Sequence, residues 1–245
     1  MKGDAYISIV NQTITKAWES QQETIANAVE QIAQAIARKS NVFIFGCSHA
    51  GIIAEEVFYR TGGLAILNPI FFPGFMLNTR PITMTSQLER LPGLGKTILK
   101  ENHLRPGDVL IIHSVSGRNT VPVEMAIEAV KMGVYVIALT NLEYSSNVTS
   151  RHPSGKRLYE VSNLVLDNCG VKGDAAVLLD GLAEPIGPTS TTVGTALING
   201  IIIEVVEKLI ADKIVPPVFL SANLDGGDEH NRKIFEEYKD NIFYM

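Results

Sequence analysis

The stretch Asn41–Arg60, NVFIFGCSHAGIIAEEVFYR, decides the reading of the fold. Val42-Phe43-Ile44-Phe45 is an uninterrupted apolar run, the mark of a strand buried on both faces. Gly46 ends that run, and Cys47-Ser48-His49-Ala50-Gly51 makes a small polar turn. The spacing then predicts a helix over 52–60. A strand, a turn of small residues and a helix N-terminus form an anion-binding arrangement: free N–H groups point outward and the helix dipole favours negative charge. Ser48 adds a hydroxyl donor. The spacing is neither GxGxxG nor GxxxxGKS, so it indicates neither a dinucleotide nor a P-loop nucleotide.

The same unit recurs. Val109–His113 is a second both-faces-buried strand, and it runs into Ser114-Val115-Ser116-Gly117-Arg118-Asn119-Thr120 and a helix through Lys131. Pro122 suits the first turn of that helix. An ordinary helix start needs one capping residue. Here Ser114, Ser116, Gly117, Asn119 and Thr120 crowd together, with Arg118 to add charge, and such a set makes a cradle for a dianion. Leu64–Leu67, Val134–Leu139 and Leu164–Asp167 read as further strands, and Val193–Ile210 as the most apolar helix. The pattern predicts an α/β fold, a three-layer α/β/α sandwich around a five-stranded parallel sheet. Right-handed crossovers would bring Ser48, Ser114, Ser116, Thr140 and the hydroxyls of Thr189, Ser190, Thr191 and Thr192 to one sheet edge.

Composition narrows the class. The chain has 245 residues, 46% of them hydrophobic, enough for one α/β domain with additions. A net charge of −5 argues against a nucleic-acid partner. No apolar run reaches the ~18 residues of a membrane span, and the N-terminus has no signal-peptide core. Two cysteines, Cys47 and Cys169, make no disulfide framework and suit a reducing, cytoplasmic setting. They have no ligand spacing with a histidine, so neither a metal nor another cofactor is expected.

Residues Tyr6–Lys39 read as one long amphipathic helix or two in succession, ending at Ser40-Asn41. The division expected is an N-terminal helical segment at 1–39, the main domain at 40–215 and a tail at 216–245. On the helix after Ser48, His49, Glu56 and Arg60 fall on one line, with Glu55 about 100° away. Glu56 is a candidate for moving a proton at a substrate carbon. His49 is a candidate for orienting substrate, and Glu55 reads as a solvated residue. The stretch 68–95, rich in Pro and Phe, reads as a lid or interface. Within it Thr85–Arg90 looks like a short helix, and Glu89 and Arg90 could reach a sugar, with a surface ion pair as the default reading. The polar, basic stretch Glu143–Tyr159 reads as a solvated loop, with closure over a phosphosugar as the alternative.

Gly46-Cys47-Ser48-His49 and Ser114-Val115-Ser116-Gly117 resemble the two phosphate turns of the SIS (sugar isomerase) domain family, which implies phosphosugar binding. Ser116-Gly117-Arg118 is most similar to the version in N-acetylmuramic acid 6-phosphate etherase. Asn119 or Thr120 stands where members carry Ser or Thr. Thr140-Asn141 resembles the family's Leu-Thr step, and Pro188–Thr192 the helix entry of arabinose-5-phosphate isomerases. Cys47 stands where those enzymes have lysine. The Gly226–Asn231 tail is similar to that of single-domain members with a Gly-Gly-Asp-Glu-His-Asn tail. His230 lies near the place of a tail histidine associated with catalysis. The resemblance covers about residues 40–235. It implies a homodimer or tetramer, a phosphorylated sugar as partner and aldose–ketose isomerisation through an enediol, with Glu56 and His230 as the acid/base pair and His49 in reserve. A lyase acting on an amino-sugar phosphate ether, or a phosphosugar sensor without catalysis, are the alternatives.

Overall fold

A computed structural model describes residues 1–245. Two helices, α1 (Lys2–Glu19) and α2 (Gln22–Ala37), precede β1 (Val42–Gly46) and α3 (Ile52–Val57). Then come β2 (Leu67–Pro69), α4 (Met84–Leu88), α5 (Leu94–Lys100), β3 (Val109–His113), α6 (Thr120–Lys131), β4 (Tyr135–Thr140) and α7 (Leu142–Ser146). The chain closes with β5 (Leu164–Asp167), a hairpin of β6 (Ala175–Val177) and β7 (Ile186–Pro188), α8 (Ser190–Ala211) and α9 (Gly227–Glu237).

The five long-range strands form one parallel sheet in the order β2-β1-β3-β4-β5. Side chains alternate across a strand, and the sequence loads both faces. Val42, Ile44, Val109, Ile111, Ile137 and Leu139 face a core closed by α2 and α8. Phe43, Phe45, Leu110, Ile112, Val136 and Ala138 face a second core closed by α5 and α6. That double burial is why these runs read as continuous rather than alternating. The order reverses between β1 and β3, and Gly46 sits opposite His113 in register. The turns after these two strands therefore lie side by side, at the point where open parallel sheets place ligands.

Two local expectations change. The helix predicted over 52–60 stops at Val57, because Phe58 is extended and Tyr59 is left-handed at φ 43°. The strand expected over 64–67 becomes β2 at Leu67–Pro69. Residues 62–65 pair instead with the tail: Gly62 N donates to Phe219 O (2.9 Å), Phe219 N to Gly63 O (3.0 Å) and Ala65 N to Pro217 O (2.8 Å). The exposed edge of β2 is covered by the C-terminus. The Asn68 amide donates to Asn241 O (2.8 Å) and its Oδ1 accepts from Phe243 N (2.8 Å). Phe243 stacks between Phe43 and His103. A covered edge cannot recruit a foreign strand.

Candidate functional site

Gly46 has no room for a side chain: a Cβ there would lie 2.3 Å from Ala50 O. This lets Cys47 and a short 3-10 turn, Ser48–Gly51, fold tightly over the end of β1, with Ser48 left-handed at φ 55°. Gly117 does the same after β3, at φ 57°, where a Cβ would meet Ser145 Oγ at 2.6 Å. Thr140 is fully buried, and its hydroxyl donates to Ser114 O (2.7 Å) and Val115 O (3.1 Å), bracing that turn from below.

A cleft of about 260 Å³ opens between the two turns. Cys47, Ser48, His49 and Ala50 form one wall, and Ser114, Val115, Ser116 and Asn119 form the other. Glu89, Tyr144, Gly173 and Asp174 complete it. Asn119 is the N-cap of α6 but does not cap with its side chain. Its Oδ1 accepts instead from Arg151 Nη1 at 2.6 Å.

Glu89 is the half-buried acid of this cleft. Burial raises its pKa, against a hydrogen bond from Asn119 and the positive charges of Arg151 and Arg90. Its backbone carbonyl accepts from Val121 N (3.0 Å), which ties the end of α4 to the first turn of α6. Cys47 is buried beside it, and its thiol is pushed up by burial first and by the Glu89 charge second. Asp174 lies across the cleft, left-handed at φ 73°. Its carboxylate accepts from Thr189 N (3.0 Å), Ser190 N (2.7 Å) and Ser190 Oγ (2.7 Å), and so caps α8.

A family model described as SIS domain matches residues 5–141. A UPF0309 protein of Shouchella clausii is 48% identical over 242 residues, 99% of this chain and 98% of its own. A UPF0309 protein of Oceanobacillus iheyensis is 48% identical over 240 residues, 98% of each. The chain belongs to the SIS domain family. Two solved structures share the fold of this SIS protein. A phosphoheptose isomerase from Francisella tularensis has a TM-score of 0.55 and 15% identity, over 83% of this chain and 96% of its own. One from Neisseria gonorrhoeae has a TM-score of 0.53 and 18% identity, over 82% of this chain and 96% of its own.

The SIS chain brings Cys47, Ser48, His49, Ser114, Ser116 and Asn119 together in the cleft, and holds others behind it or away. Thr120 is buried and its hydroxyl donates to Arg151 O (3.1 Å). Arg118 turns outward, donating to Thr149 O (2.8 Å) and Thr149 Oγ1 (3.0 Å). Thr189 and Ser190 give their donors to Asp174, and Thr191 follows in the first turn of α8. Glu56 lies outside this chain's cleft, ion-paired with Arg60. His230 is exposed on α9, with Nε2 3.0 Å from Val218 O.

Two acids, Glu89 and Asp174, line the cleft without having been candidates for catalysis in the sequence. Glu89 turns inward and lines the cleft rather than forming the surface ion pair that is its default reading, and no ion pair joins it to Arg90. Asp174 follows Gly173 at the carboxyl side of β5, the end at which open parallel sheets bind ligands, and that position is the signal the sequence carries for it. No helix in this SIS protein is long and apolar enough to cross a membrane.

Proposed function

We propose that the chain binds a phosphorylated sugar in the cleft between the β1 and β3 turns and isomerises it between aldose and ketose. The observation that carries this reading is Glu89, a half-buried carboxyl of raised pKa set between two hydroxyl-rich turns. The phosphate lies on Ser48, Ser114 and Ser116 and on the first turn of α6, with the charge of Arg151 beside Asn119. Glu89 takes a proton from the carbon beside the sugar carbonyl and returns it to the neighbouring carbon of the enediol. A pKa moved toward neutrality suits both steps. His49 moves the proton between the two oxygens.

Glu56 and His230 face away from this chain's cleft, and they enter the reaction only if a second subunit presents them, in a homodimer or a tetramer. The setting is cytoplasmic. Isomerisation is preferred to lyase chemistry because Arg118, the residue that suggested the lyase, spends its guanidinium on Thr149.

A thermal-shift panel of phosphorylated and free hexoses, pentoses and heptoses tests the binding. A ligand at 100 times its Kd stabilises by about 2.7 kcal/mol. Ser116→Ala should weaken the phosphate form by roughly 1–3 kcal/mol. No shift with any phosphosugar, or no loss with Ser116→Ala, overturns the binding site. Glu56→Gln separates the catalytic assignments: it spares turnover if Glu89 is the base, and abolishes it if a partner's Glu56 is.

A further inference from the structure

We propose that Arg151, on the stretch after α7, is a positioning residue for the base: it holds the Asn119 amide with its N–H end toward Glu89. This rests on the reading of Glu89 as the base of the isomerisation and names the residue that aims that carboxyl.

Residues 149–151 are clamped to the start of α6. Arg118 donates to Thr149 O (2.8 Å) and Thr149 Oγ1 (3.0 Å). Arg151 N donates to Arg118 O (2.8 Å), and Thr120 Oγ1 donates to Arg151 O (3.1 Å). The clamp fixes the Arg151 backbone beside Asn119, and Arg151 Nη1 donates to Asn119 Oδ1 at 2.6 Å. A guanidinium only donates, so the amide end it holds is the oxygen, and the N–H end is free for another partner. Glu89 lines the cleft with Asn119 and receives a hydrogen bond from it. A carboxylate only accepts, so the amide turned the other way would set two acceptors against each other. The chain from Arg151 through Asn119 to Glu89 therefore runs in one sense, donor to acceptor at each step.

Asn119 needs such a hold. It stands at the N-cap of α6, where an Asn side chain ordinarily accepts from the N–H groups of the first turn. Here it makes no such bond. With Arg151 removed, the Asn119 oxygen is free to return to those N–H groups, and Glu89 loses its donor. The other charged and titratable groups around Glu89 are Arg90 beside it in the chain, Cys47 on the β1 turn, and His49, Tyr144 and Asp174 in the cleft lining. Burial pushes the carboxyl up, and Arg90 and Arg151 hold it down. Of these two, Arg151 is the one that also holds Asn119.

The test reads Glu89 directly, with no sugar present. In protein isotope-labelled at the Glu side-chain carboxyls and followed by carbon NMR, the Glu89 signal is the one lost in Glu89→Gln, and its pH titration gives a midpoint. Arg151→Met should raise that midpoint by about one pH unit, and Arg151→Lys by less, because the charge stays. In an Asn119→Ala background the Arg151→Met shift should shrink by half or more. The acid limb of kcat/KM should move up with the midpoint, whereas a purely structural defect lowers the rate alike at every pH. An unmoved midpoint overturns the proposal. So does an undiminished shift in the Asn119→Ala background, which would make Arg151 a bare charge. If the midpoint moves as expected but no sugar phosphate turns over, the aiming of Glu89 stands and the isomerase reading fails. If Arg151→Met does not fold, Arg151→Lys and Asn119→Ala carry the test: both should raise the midpoint, and no rise with either overturns the proposal.

Discussion

Replacing Glu89 by glutamine keeps the shape of the side chain and an acceptor for the Asn119 hydrogen bond, and removes the charge. Proton transfer by a positioned side chain contributes about 10²- to 10⁴-fold. At 1.36 kcal/mol per tenfold, that is about 2.7–5.4 kcal/mol of barrier. kcat should fall by that factor. KM should change little, because the phosphate rests on Ser48, Ser114 and Ser116. Stability should move the other way. Burial raises the folded pKa of Glu89, so its stabilising contribution is present below the ordinary carboxyl value and lost as pH rises through the folded value. At pH 7 the charged carboxylate disfavours the folded state, and Glu89→Gln should melt at a higher temperature than the wild type. The two should converge below about pH 4. Turnover followed by NMR of the aldose and ketose forms, with scanning calorimetry at pH 7 and pH 4, reads both effects. Turnover within tenfold of wild type, or a lower melting temperature at pH 7, refutes the role of Glu89.

Gly46→Ala places a Cβ 2.3 Å from a backbone oxygen, so the β1 turn must open; sugar-phosphate affinity should drop at least tenfold with the circular dichroism spectrum kept, and unchanged affinity refutes the turn's part in binding. His113 is held down to about 4 from 6.5, chiefly by burial. Its stabilising contribution is present above the unfolded value and lost as pH falls through the folded one. Urea titrations should show wild type losing about 3 kcal/mol between pH 7 and pH 4 through this residue, and His113→Asn should lack that slope. Phe243→Ala removes a ring whose centroid lies 5.8 Å from that of Phe43 and 4.8 Å from that of His103. It should cost about 3 kcal/mol in urea unfolding, and a loss under 1 kcal/mol shows that the tail does not hold the β2 edge.

The strands β1, β3, β4 and β5 were legible because burial on both faces writes itself locally, as apolar runs. The two glycine-bearing turns were legible for the same reason: tight turns and helix starts select residue types within a few positions. The periodicity of the N-terminal stretch does not separate one helix from two; α2 and α8 share the core over one sheet face.

What the sequence by itself determined was the parallel sheet, the order of its turns and the clustering of hydroxyl donors at one edge. Periodicity and turn chemistry are properties of neighbouring residues, and a single chain displays them. Only the tertiary structure decided that residues 62–65 pair with 217–219, that Glu89 turns into the cleft, that Asp174 takes the donors of Thr189 and Ser190, and that His113 Nδ1 meets Ala50 O. Each of these joins residues far apart in the chain. Their pairing is set by which buried polar groups must find partners once the sheet and helices close, and that condition exists only in the folded molecule.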